Sequence, residues 1–314
     1  MRLVAFEPES ARPAPHGPRC GVLLPGGRDV LDLGAALARD GTELSPCTFL
    51  DWLDLDAVGM REARLVLGRL VEDEPGLEAM RATRTVMPLD RIRLVSPVPR
   101  PGKLICIGLN YRDHARESGM AIPERPVVFS KFTTSVIGPD QPVLLPAIST
   151  QVDYEAELAV VIGRKARRVP KERALDHVLG YTNFNDVSAR DLQFADSQWQ
   201  RGKSCDTFAP MGPFLVTADE VPDPHRLGIR LRLNGRTLQD SNTDQLIFGV
   251  PELVAFLSES ITLEPGDVIA TGTPPGVGFA RKPPIYLKDG DVMEVEIDGL
   301  GVLRNTVRAD SAQG

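Results

Sequence analysis

Two glutamates separated by one residue stand at the start of an apolar run. Glu155 and Glu157 come directly before the residues Leu158–Ile162. In a β-strand, side chains at positions i and i+2 point to the same face, so the two carboxylates should converge. Two neighbouring anions repel each other and are costly to bury unless a cation or a shared proton neutralises them. The pattern therefore indicates a site for a hard divalent cation.

A third carboxylate, that of Asp186, follows another apolar run that includes Tyr181 and Phe184. Three carboxylates leave coordination positions for water and substrate, which is the arrangement that Mg²⁺ prefers. We therefore predict Glu155, Glu157 and Asp186 as the metal ligands. The alternative is a glutamate pair on a solvated sheet, where basic residues of neighbouring strands balance the charge.

His114 and Glu117 form a second pattern with chemical meaning. They are three residues apart, so their side chains face each other if the segment is a helical turn. A carboxylate beside an imidazole fixes its tautomer and favours its use as a base that activates water. The alternative is an ordinary surface pair on a helix. Gly119 and Pro123, which follow, suit a segment that moves.

Arg190 and Gln193 lie within about one turn of Asp186, close enough to serve the same pocket. The planar guanidinium of arginine matches a carboxylate, so this residue predicts an anionic substrate. A local ion pair between Arg190 and Asp191 is the alternative. The glycine-rich segment 271–278 lacks the lysine of a phosphate loop and the spacing of a dinucleotide fingerprint, which argues against a nucleotide site.

The elements that must position these residues divide the chain of 314 residues into two parts. Three prolines between residues 95 and 101 favour an extended connector, and we place a domain boundary there. Residues 1–95 are predicted to form a small α+β N-terminal domain, and residues 96–310 a catalytic domain. Short strands and then helices are expected in the first part, at Arg2–Phe6, Cys20–Leu24, Asp29–Asp32, Thr48–Leu53 and Met60–Glu72.

From Lys103 onward, strand-length apolar runs alternate with Gly and Pro turns, which predicts an α+β fold that is mainly β. Asn234-Gly235 between two such runs is a strong signal for a two-residue hairpin. Helical patterns are expected only at Glu172–Leu179 and Pro251–Glu259. The expected strands are Leu104–Ile107, Val127–Phe129, Leu158–Ile162, Phe214–Val216, Ile229–Leu233, Val268–Ala270 and Val292–Ile297.

The formal net charge of −7 and the pI near 5.3 argue against nucleic acid or an anionic membrane as a partner. The four cysteines are widely spaced, so neither a disulfide framework nor a structural zinc site is indicated. No apolar stretch has the length of a signal peptide or a membrane span. These observations predict a soluble protein of the reducing cytoplasm.

Five blocks of sequence, in the same order, resemble the fumarylacetoacetate hydrolase superfamily. They are Gly108–His114, the strand with Glu155 and Glu157, Asp186–Asp191, Gly202–Phe208 and Pro265–Gly278. The resemblance covers nearly the whole chain and is strongest from residue 101 to 303. Residues 1–4 and 281–284 are most similar to the branch called fumarylacetoacetate hydrolase domain-containing protein 2.

The resemblance implies a fold and several roles. The catalytic domain would be a β-roll or barrel-like domain, usually assembled as a homodimer. His114 and Glu117 would form a catalytic dyad on a lid that orders over bound substrate, and Lys203 would reach the metal-bound substrate as a third catalytic residue. Gln193, Thr273 and Arg190 would bind substrate, with Thr273 holding its carboxylate.

Lys131 occupies a second lysine position of the family, and we include it among the substrate-binding residues. Mg²⁺ or Mn²⁺ would chelate a 2-oxo acid and stabilise the enolate that forms from it. We place hydrolysis of a C–C bond in an acylpyruvate or fumarylacetoacetate-like substrate first. Keto–enol tautomerisation or decarboxylation of oxaloacetate is the alternative, and a non-catalytic metal-binding protein is the opposing class.

Overall fold

The computed structural model describes residues 1–8, 17–39, 49–70, 73–117 and 119–310. Its helices are α1 (Leu33–Arg39), α2 (Val58–Leu70), α3 (Glu74–Ala82), α4 (Arg112–Glu117), α5 (Arg190–Ala195), α6 (Gln200–Lys203) and α7 (Val250–Ser260). Its strands are β1 (Arg2–Pro8), β2 (Arg19–Leu23), β3 (Asp29–Asp32), β4 (Val86–Pro88), β5 (Ile92–Val95), β6 (Leu104–Gly108), β7 (Val127–Ser130), β8 (Val136–Ile137), β9 (Val143–Leu145), β10 (Val152–Asp153), β11 (Ala156–Ile162), β12 (Val178–Asn185), β13 (Ser188–Ala189), β14 (Ala209–Thr217), β15 (Gly228–Leu233), β16 (Arg236–Asn242), β17 (Val268–Ala270), β18 (Val292–Ile297) and β19 (Val302–Ala309).

Two sheets contain most of the described strands. Twelve of the described strands form one sheet with the order β4-β3-β2-β1-β14-β12-β11-β17-β6-β7, in which β5 also pairs with β1 and β8 with β14. Five form a second sheet with the order β16-β15-β18-β19-β9, and β10 pairs with β13. The mainly β, α+β class predicted from the sequence is confirmed.

Strand β11 runs through the centre of the molecule, and all seven of its residues are buried. Leu158, Val160 and Ile162 belong to a core shared with β15 and β18 of the five-stranded sheet. Ala159 and Val161 belong to the core on the opposite face. Because both faces of the strand are covered, its sequence from Leu158 to Ile162 is continuously apolar where a half-exposed strand would alternate.

Helix α2 covers that opposite face. Its buried residues Met60, Ala63, Val66 and Leu70 recur at helical spacing and join the same core as Ala159. The predicted helix Met60–Glu72 is therefore present over most of its length, although residues 71–72 lie outside the described residues. Of the predicted segment 48–53, residue 48 also lies outside them, and the rest forms a 3₁₀ helix.

The Asn234-Gly235 hairpin is confirmed. Both residues have positive φ, 52° and 77°, as a two-residue turn between β15 and β16 requires. The helix predicted at Glu172–Leu179 is wrong, because the structure has a 3₁₀ helix at Lys171–His177 followed directly by β12. Strand pairing overrides the helical pattern here, because its last two residues, Val178 and Leu179, belong to β12, which lies between β11 and β14.

Strands from both sides of residue 95 share one sheet, because β1 pairs with β14 as well as with β2 and β5. The division into residues 1–95 and 96–310 stays a prediction. Among the residues that the structure describes, no helix combines the length and the apolar character needed to cross a bilayer.

Candidate functional site

The register of two central strands brings the three predicted metal ligands together. Ala156 is paired with Asn185, so Glu155, just before β11, lies beside Asp186, just after β12. One carboxylate oxygen from each of Glu155, Glu157 and Asp186 lies within 4.8 Å of the others, and all three residues are buried. Oxygen donors in this number suit Mg²⁺ or Mn²⁺, so the residues fit the predicted ion.

Two buried lysines contact this cluster. Lys203 Nζ, at the end of α6, lies 2.9 Å from Glu155 Oε2 and 2.8 Å from Asp186 Oδ2. Lys131 Nζ lies 2.5 Å from Asp186 Oδ1 and 2.9 Å from the carbonyl oxygen of Val187. The sequence patterns alone did not indicate that either lysine is buried against the carboxylates.

Arg190 is also occupied within the cluster. Its Nε donates to Asp153 Oδ2 at 2.9 Å, and its Nη1 donates to Gln193 Oε1 at 3.0 Å. Its Nη2 lies 2.5 Å from Glu155 Oε1. The alternative of a local ion pair with Asp191 is wrong, because the carboxylate of Asp191 accepts its hydrogen bonds elsewhere.

Asp153 is a member of the site that the sequence analysis missed. Besides pairing with Arg190, its carboxylate accepts hydrogen bonds from the backbone of Gly278 at 2.7 Å and of Phe279 at 3.1 Å. It therefore ties the arginine to the glycine-rich segment. The available signal was its position between the apolar residues Val152 and Tyr154, where an acidic residue is rarely buried without partners.

The two glutamates have opposite protonation tendencies. Burial by itself would raise the pKa of Glu155, but Lys203 and Arg190 outweigh it and lower that pKa to about 2. Burial raises the pKa of Glu157 well above its usual value, and the charges of Asp186 and Glu155 raise it further. Burial opposes the charged form of Lys203, yet Asp186 and Glu155 raise the pKa of this lysine. Of the two glutamates, Glu157 is thus the one whose protonated form is favoured.

The charges of the cluster nearly cancel. Four buried carboxylates face three buried cations, which leaves one unit of negative charge for a proton or a metal ion to balance. The carboxylates are Asp153, Glu155, Glu157 and Asp186, and the cations are Lys131, Arg190 and Lys203.

His114 and Glu117 lie on α4 and do face each other. The distance from His114 Nδ1 to Glu117 Oε2 is 3.4 Å. The same oxygen of Glu117 accepts a hydrogen bond from the backbone nitrogen of Gly276 at 3.0 Å. The pair is therefore attached to the glycine-rich segment that follows β17.

That segment also touches the metal ligands. Glu157 Oε2 accepts a hydrogen bond from the backbone nitrogen of Gly272 at 2.9 Å. Gly272 has φ +100°, and a Cβ atom there would lie 2.8 Å from Asn110 Cβ. Glycine is required at this position because both the backbone conformation and the space exclude a side chain.

A cavity of about 120 Å³ lies against the cluster. Most of the predicted site residues line it, and Lys131, Glu117 and Asp186 do not. Aromatic rings form part of its wall. The rings of Phe129 and Trp199 meet edge to face, with their centroids 5.4 Å apart. The centroid of the Phe279 ring lies 4.3 Å from Arg190 Cζ. None of these rings was predicted to belong to a site, because aromatic residues in short apolar runs are usually part of a core.

A family model described as fumarylacetoacetate (FAA) hydrolase C-terminal matches residues 103–308. The chain belongs to the fumarylacetoacetate hydrolase family. The matched residues include the metal-ligand cluster, the dyad and the glycine-rich segment. The resemblance inferred from the five sequence blocks is thereby confirmed.

Relatives within the fumarylacetoacetate hydrolase family match almost the whole chain. "Oxaloacetate tautomerase fahd2, mitochondrial" from Xenopus laevis is 43% identical over 98% of this chain and 90% of its own length. The solved fumarylacetoacetate hydrolase of Exiguobacterium antarcticum is 36% identical, with a TM-score of 0.77 over 98% of this chain and 99% of that one. A solved 5-carboxymethyl-2-hydroxymuconate delta-isomerase from Mycobacterium smegmatis is 34% identical, with a TM-score of 0.73 over 99% of this chain and 100% of that one.

The prediction of a cytoplasmic protein is wrong by this comparison, because the Xenopus relative in the fumarylacetoacetate hydrolase family is named as mitochondrial. The prediction used cysteine spacing and the lack of a long apolar segment. Cysteine spacing indicates whether disulfides form, and it does not distinguish one reducing compartment from another.

Proposed function

We propose that this protein is a divalent-metal-dependent enzyme that catalyses keto–enol tautomerisation of oxaloacetate. The observation that carries the proposal is the cavity of about 120 Å³ that His114, Glu155 and Glu157 line together. A small space with one base and a cluster of oxygen ligands suits proton transfer on a small 2-oxo acid. The tautomerase name of the Xenopus relative supports this choice.

Charge supports an anionic substrate. The buried cluster carries one excess negative charge, so a divalent cation held by Glu155, Glu157 and Asp186 would make it positive by one unit. A site with positive charge attracts a carboxylate. When bound, Mg²⁺ or Mn²⁺ would stabilise negative charge that develops on the 2-oxo oxygen.

The protein's own residues would divide the remaining work. His114 takes a proton from C3 of the substrate and passes it to the 2-oxo oxygen, so that the enolate becomes the enol and the imidazole is neutral again, while Glu117 holds the imidazole in orientation. Lys203, whose ammonium is buried beside the cluster, stabilises negative charge on the substrate oxygen. Thr273 and Gln193, on the cavity wall, hold the substrate carboxylate.

Hydrolysis of an acylpyruvate is the second candidate function. The His114–Glu117 pair favours it, because a base oriented by a carboxylate is also what activation of water requires. The name of the Exiguobacterium structure, a fumarylacetoacetate hydrolase, points the same way. Against it stands the size of the cavity, which must then hold a longer substrate together with the attacking water.

The decisive experiment offers oxaloacetate and acetylpyruvate separately to the purified protein with Mg²⁺. Tautomerisation is followed by the ultraviolet absorbance of the enol and by malate dehydrogenase, which consumes the keto form. Pyruvate release is followed by lactate dehydrogenase. We expect faster keto–enol conversion and no pyruvate above the amount that forms in protein-free buffer with Mg²⁺. Pyruvate above that amount from acetylpyruvate would instead establish the hydrolase, and from oxaloacetate it would establish the decarboxylase.

Glu155→Gln is the control for the proposed function, because it removes one ligand charge while keeping the size of the side chain. If this variant converts oxaloacetate as fast as the unchanged protein, the metal-dependent mechanism is rejected. Conversion at the rate of the protein-free buffer would reject the tautomerase itself.

We further propose a homodimer, as the sequence resemblance implied. Val127 and Val128 on the edge strand β7, together with Phe132 just after it, are exposed apolar side chains that a second copy would cover. Light scattering after size-exclusion chromatography tests this directly: the mass of two chains supports it, and the mass of one chain contradicts it.

A further inference from the structure

We propose that Gln239 is a positioning residue that turns the hydroxyl group of Thr273 into a hydrogen-bond donor aimed at the substrate carboxylate. This inference rests on the proposed 2-oxo acid site. Gln239 lies on β16 of the five-stranded sheet, is fully buried and does not line the cavity. Its action must therefore pass through other residues.

The orientation of the Gln239 amide is fixed by two backbone groups. Its Oε1 accepts a hydrogen bond from the backbone nitrogen of Ala156 at 2.9 Å, and its Nε2 donates to the carbonyl oxygen of Pro274 at 2.8 Å. A backbone nitrogen can only donate and a carbonyl oxygen can only accept, so a flipped amide would lose both bonds.

This fixed orientation decides the state of the Thr273 hydroxyl. Gln239 Nε2 also donates to Thr273 Oγ1, at a distance of 2.8 Å. The oxygen therefore accepts from the amide, and its own proton must point in another direction. Because Thr273 is on the cavity wall, that proton is available to an anion in the cavity.

The same amide connects two parts of the site. Ala156, which binds its oxygen, stands between the two ligands Glu155 and Glu157, while Thr273 belongs to the glycine-rich segment. That segment is packed tightly on β16, since a Cβ atom at Gly276 would lie 2.1 Å from the carbonyl oxygen of Leu238. Gln239 thus sets the position of the hydroxyl relative to the strand that carries the metal ligands.

A double-mutant cycle tests this role without any need for catalysis. Oxalate is the probe, because its adjacent oxygens imitate the carboxylate and 2-oxo oxygens of the substrate. Its dissociation constant is measured by calorimetry on the Mg²⁺-saturated protein, for Gln239→Met, Thr273→Val and the double variant. We expect each single variant to weaken oxalate binding about tenfold, as loss of a hydrogen bond to an anion does. In the Thr273→Val background, Gln239→Met should change binding less than about twofold.

Two results would overturn the inference: effects of the single variants that multiply in the double variant, or an unchanged oxalate affinity in Gln239→Met. If Gln239→Met does not fold, Gln239→Glu takes its place, since it keeps an oxygen toward Ala156. Repulsion between that carboxylate and oxalate is present whether residue 273 is Thr or Val, so it cancels from the coupling free energy of the double-mutant cycle. Failure of the tautomerase assay leaves this binding measurement intact, so the two proposals fail separately.

Asn305→Leu is the matched control. Asn305 is also a buried amide that bridges two backbone carbonyls, those of Gly138 at 2.9 Å and Gln141 at 2.8 Å, but it does not contact the cavity. We expect this variant to lower the melting temperature without changing oxalate affinity. Equal weakening of oxalate binding by Asn305→Leu would show that general loosening of the fold explains the effect of Gln239→Met.

Discussion

Lys131 and Lys203 bind opposite oxygens of the Asp186 carboxylate, at 2.5 Å from Oδ1 and 2.8 Å from Oδ2. Asp186 is therefore neutralised before any metal ion arrives. Glu157 receives only a backbone hydrogen bond, from Gly272, among the contacts found in the described part of the chain. Glu157 is therefore the carboxylate whose attraction contributes most to the binding free energy of a cation that enters the cluster, because it lacks a positive partner.

Mg²⁺ and Mn²⁺ should raise the melting temperature of the protein, because they bind the folded cluster and have little affinity for the unfolded chain. At a metal concentration a hundred times Kd, the gain in unfolding free energy is about 2.7 kcal/mol. Thermal-shift titration measures it. Glu157→Gln should abolish the shift, whereas Glu172→Gln, at an exposed position, should keep it. A shift that survives in Glu157→Gln contradicts the ligand assignment.

Metal binding should release a proton from Glu157. Its raised pKa means that the metal-free folded protein holds this proton more tightly than the unfolded chain does. That contribution to stability is present at low pH and is lost as the pH rises through the raised pKa. Correspondingly, the affinity for Mg²⁺ should fall as the pH drops below the raised pKa. The decrease should approach a factor of about ten per pH unit.

Calorimetry in two buffers of different ionisation enthalpy measures this proton release. We expect binding enthalpies that differ between the buffers, and a Mg²⁺ affinity that falls toward acidic pH. Equal enthalpies and an affinity that does not vary with pH would mean that Glu157 is already ionised in the metal-free protein.

His114→Gln should reduce oxaloacetate tautomerisation by about 10²- to 10⁴-fold, since it removes the proposed base. Oxalate binding in the presence of Mg²⁺ should persist, because the side chain is not a predicted ligand. His177→Gln is the matched control, as His177 Nδ1 lies 3.3 and 3.0 Å from the backbone carbonyl oxygens of Arg164 and Lys165 and His177 does not line the cavity. Undiminished turnover in His114→Gln would show that His114 is not the base of the reaction.

The two lysines should differ in what their loss affects. Lys203 lines the cavity and Lys131 does not, although both pair with Asp186. Lys131→Met should mainly cost stability, by about 3 kcal/mol, because a buried ion pair is broken. Lys203→Met should cost stability for the same reason, because this lysine pairs with Glu155 and Asp186, and should in addition reduce turnover. Urea unfolding and steady-state kinetics on both variants separate the effects, and a reversed pattern would contradict this division.

Trp199→Ala should enlarge the range of substrates. Phe129 and Trp199 line both the small cavity and a neighbouring groove of about 870 Å³, so their rings separate the two spaces. Removing one ring should raise kcat/KM for 2-oxo acids with longer side chains relative to that for oxaloacetate. An unchanged ratio across a series of chain lengths would show that these rings do not limit substrate size.

The meeting of the carboxylates of Glu155, Glu157 and Asp186 was predictable because it depends on local rules. The spacing of Glu155 and Glu157 and the position of Asp186 after an apolar run follow from strand geometry, and the strand register completes the cluster. The His114–Glu117 contact follows in the same way from helical spacing.

The contacts of Gln239 were not predictable, since they join it to Ala156 across 83 residues of sequence and an amide leaves no charge pattern. The burial of Lys131 had no signal either, because most lysines are exposed. Such features arise from which strands pack together, and no short window of sequence specifies that.

The pairing of β1 with β14 has a consequence for synthesis of the protein. Leu3 is the register partner of Leu215, so β1 cannot pair with β14 until the chain has been synthesised as far as residue 215. At ~5–20 residues per second on the ribosome, the roughly 200 residues between them take about 10 to 40 s to appear. During that interval only the Arg2–Leu3 end of this edge of β1 has no native neighbour, because β5 pairs with Ala5–Pro8 on the same edge and β2 pairs along the other one.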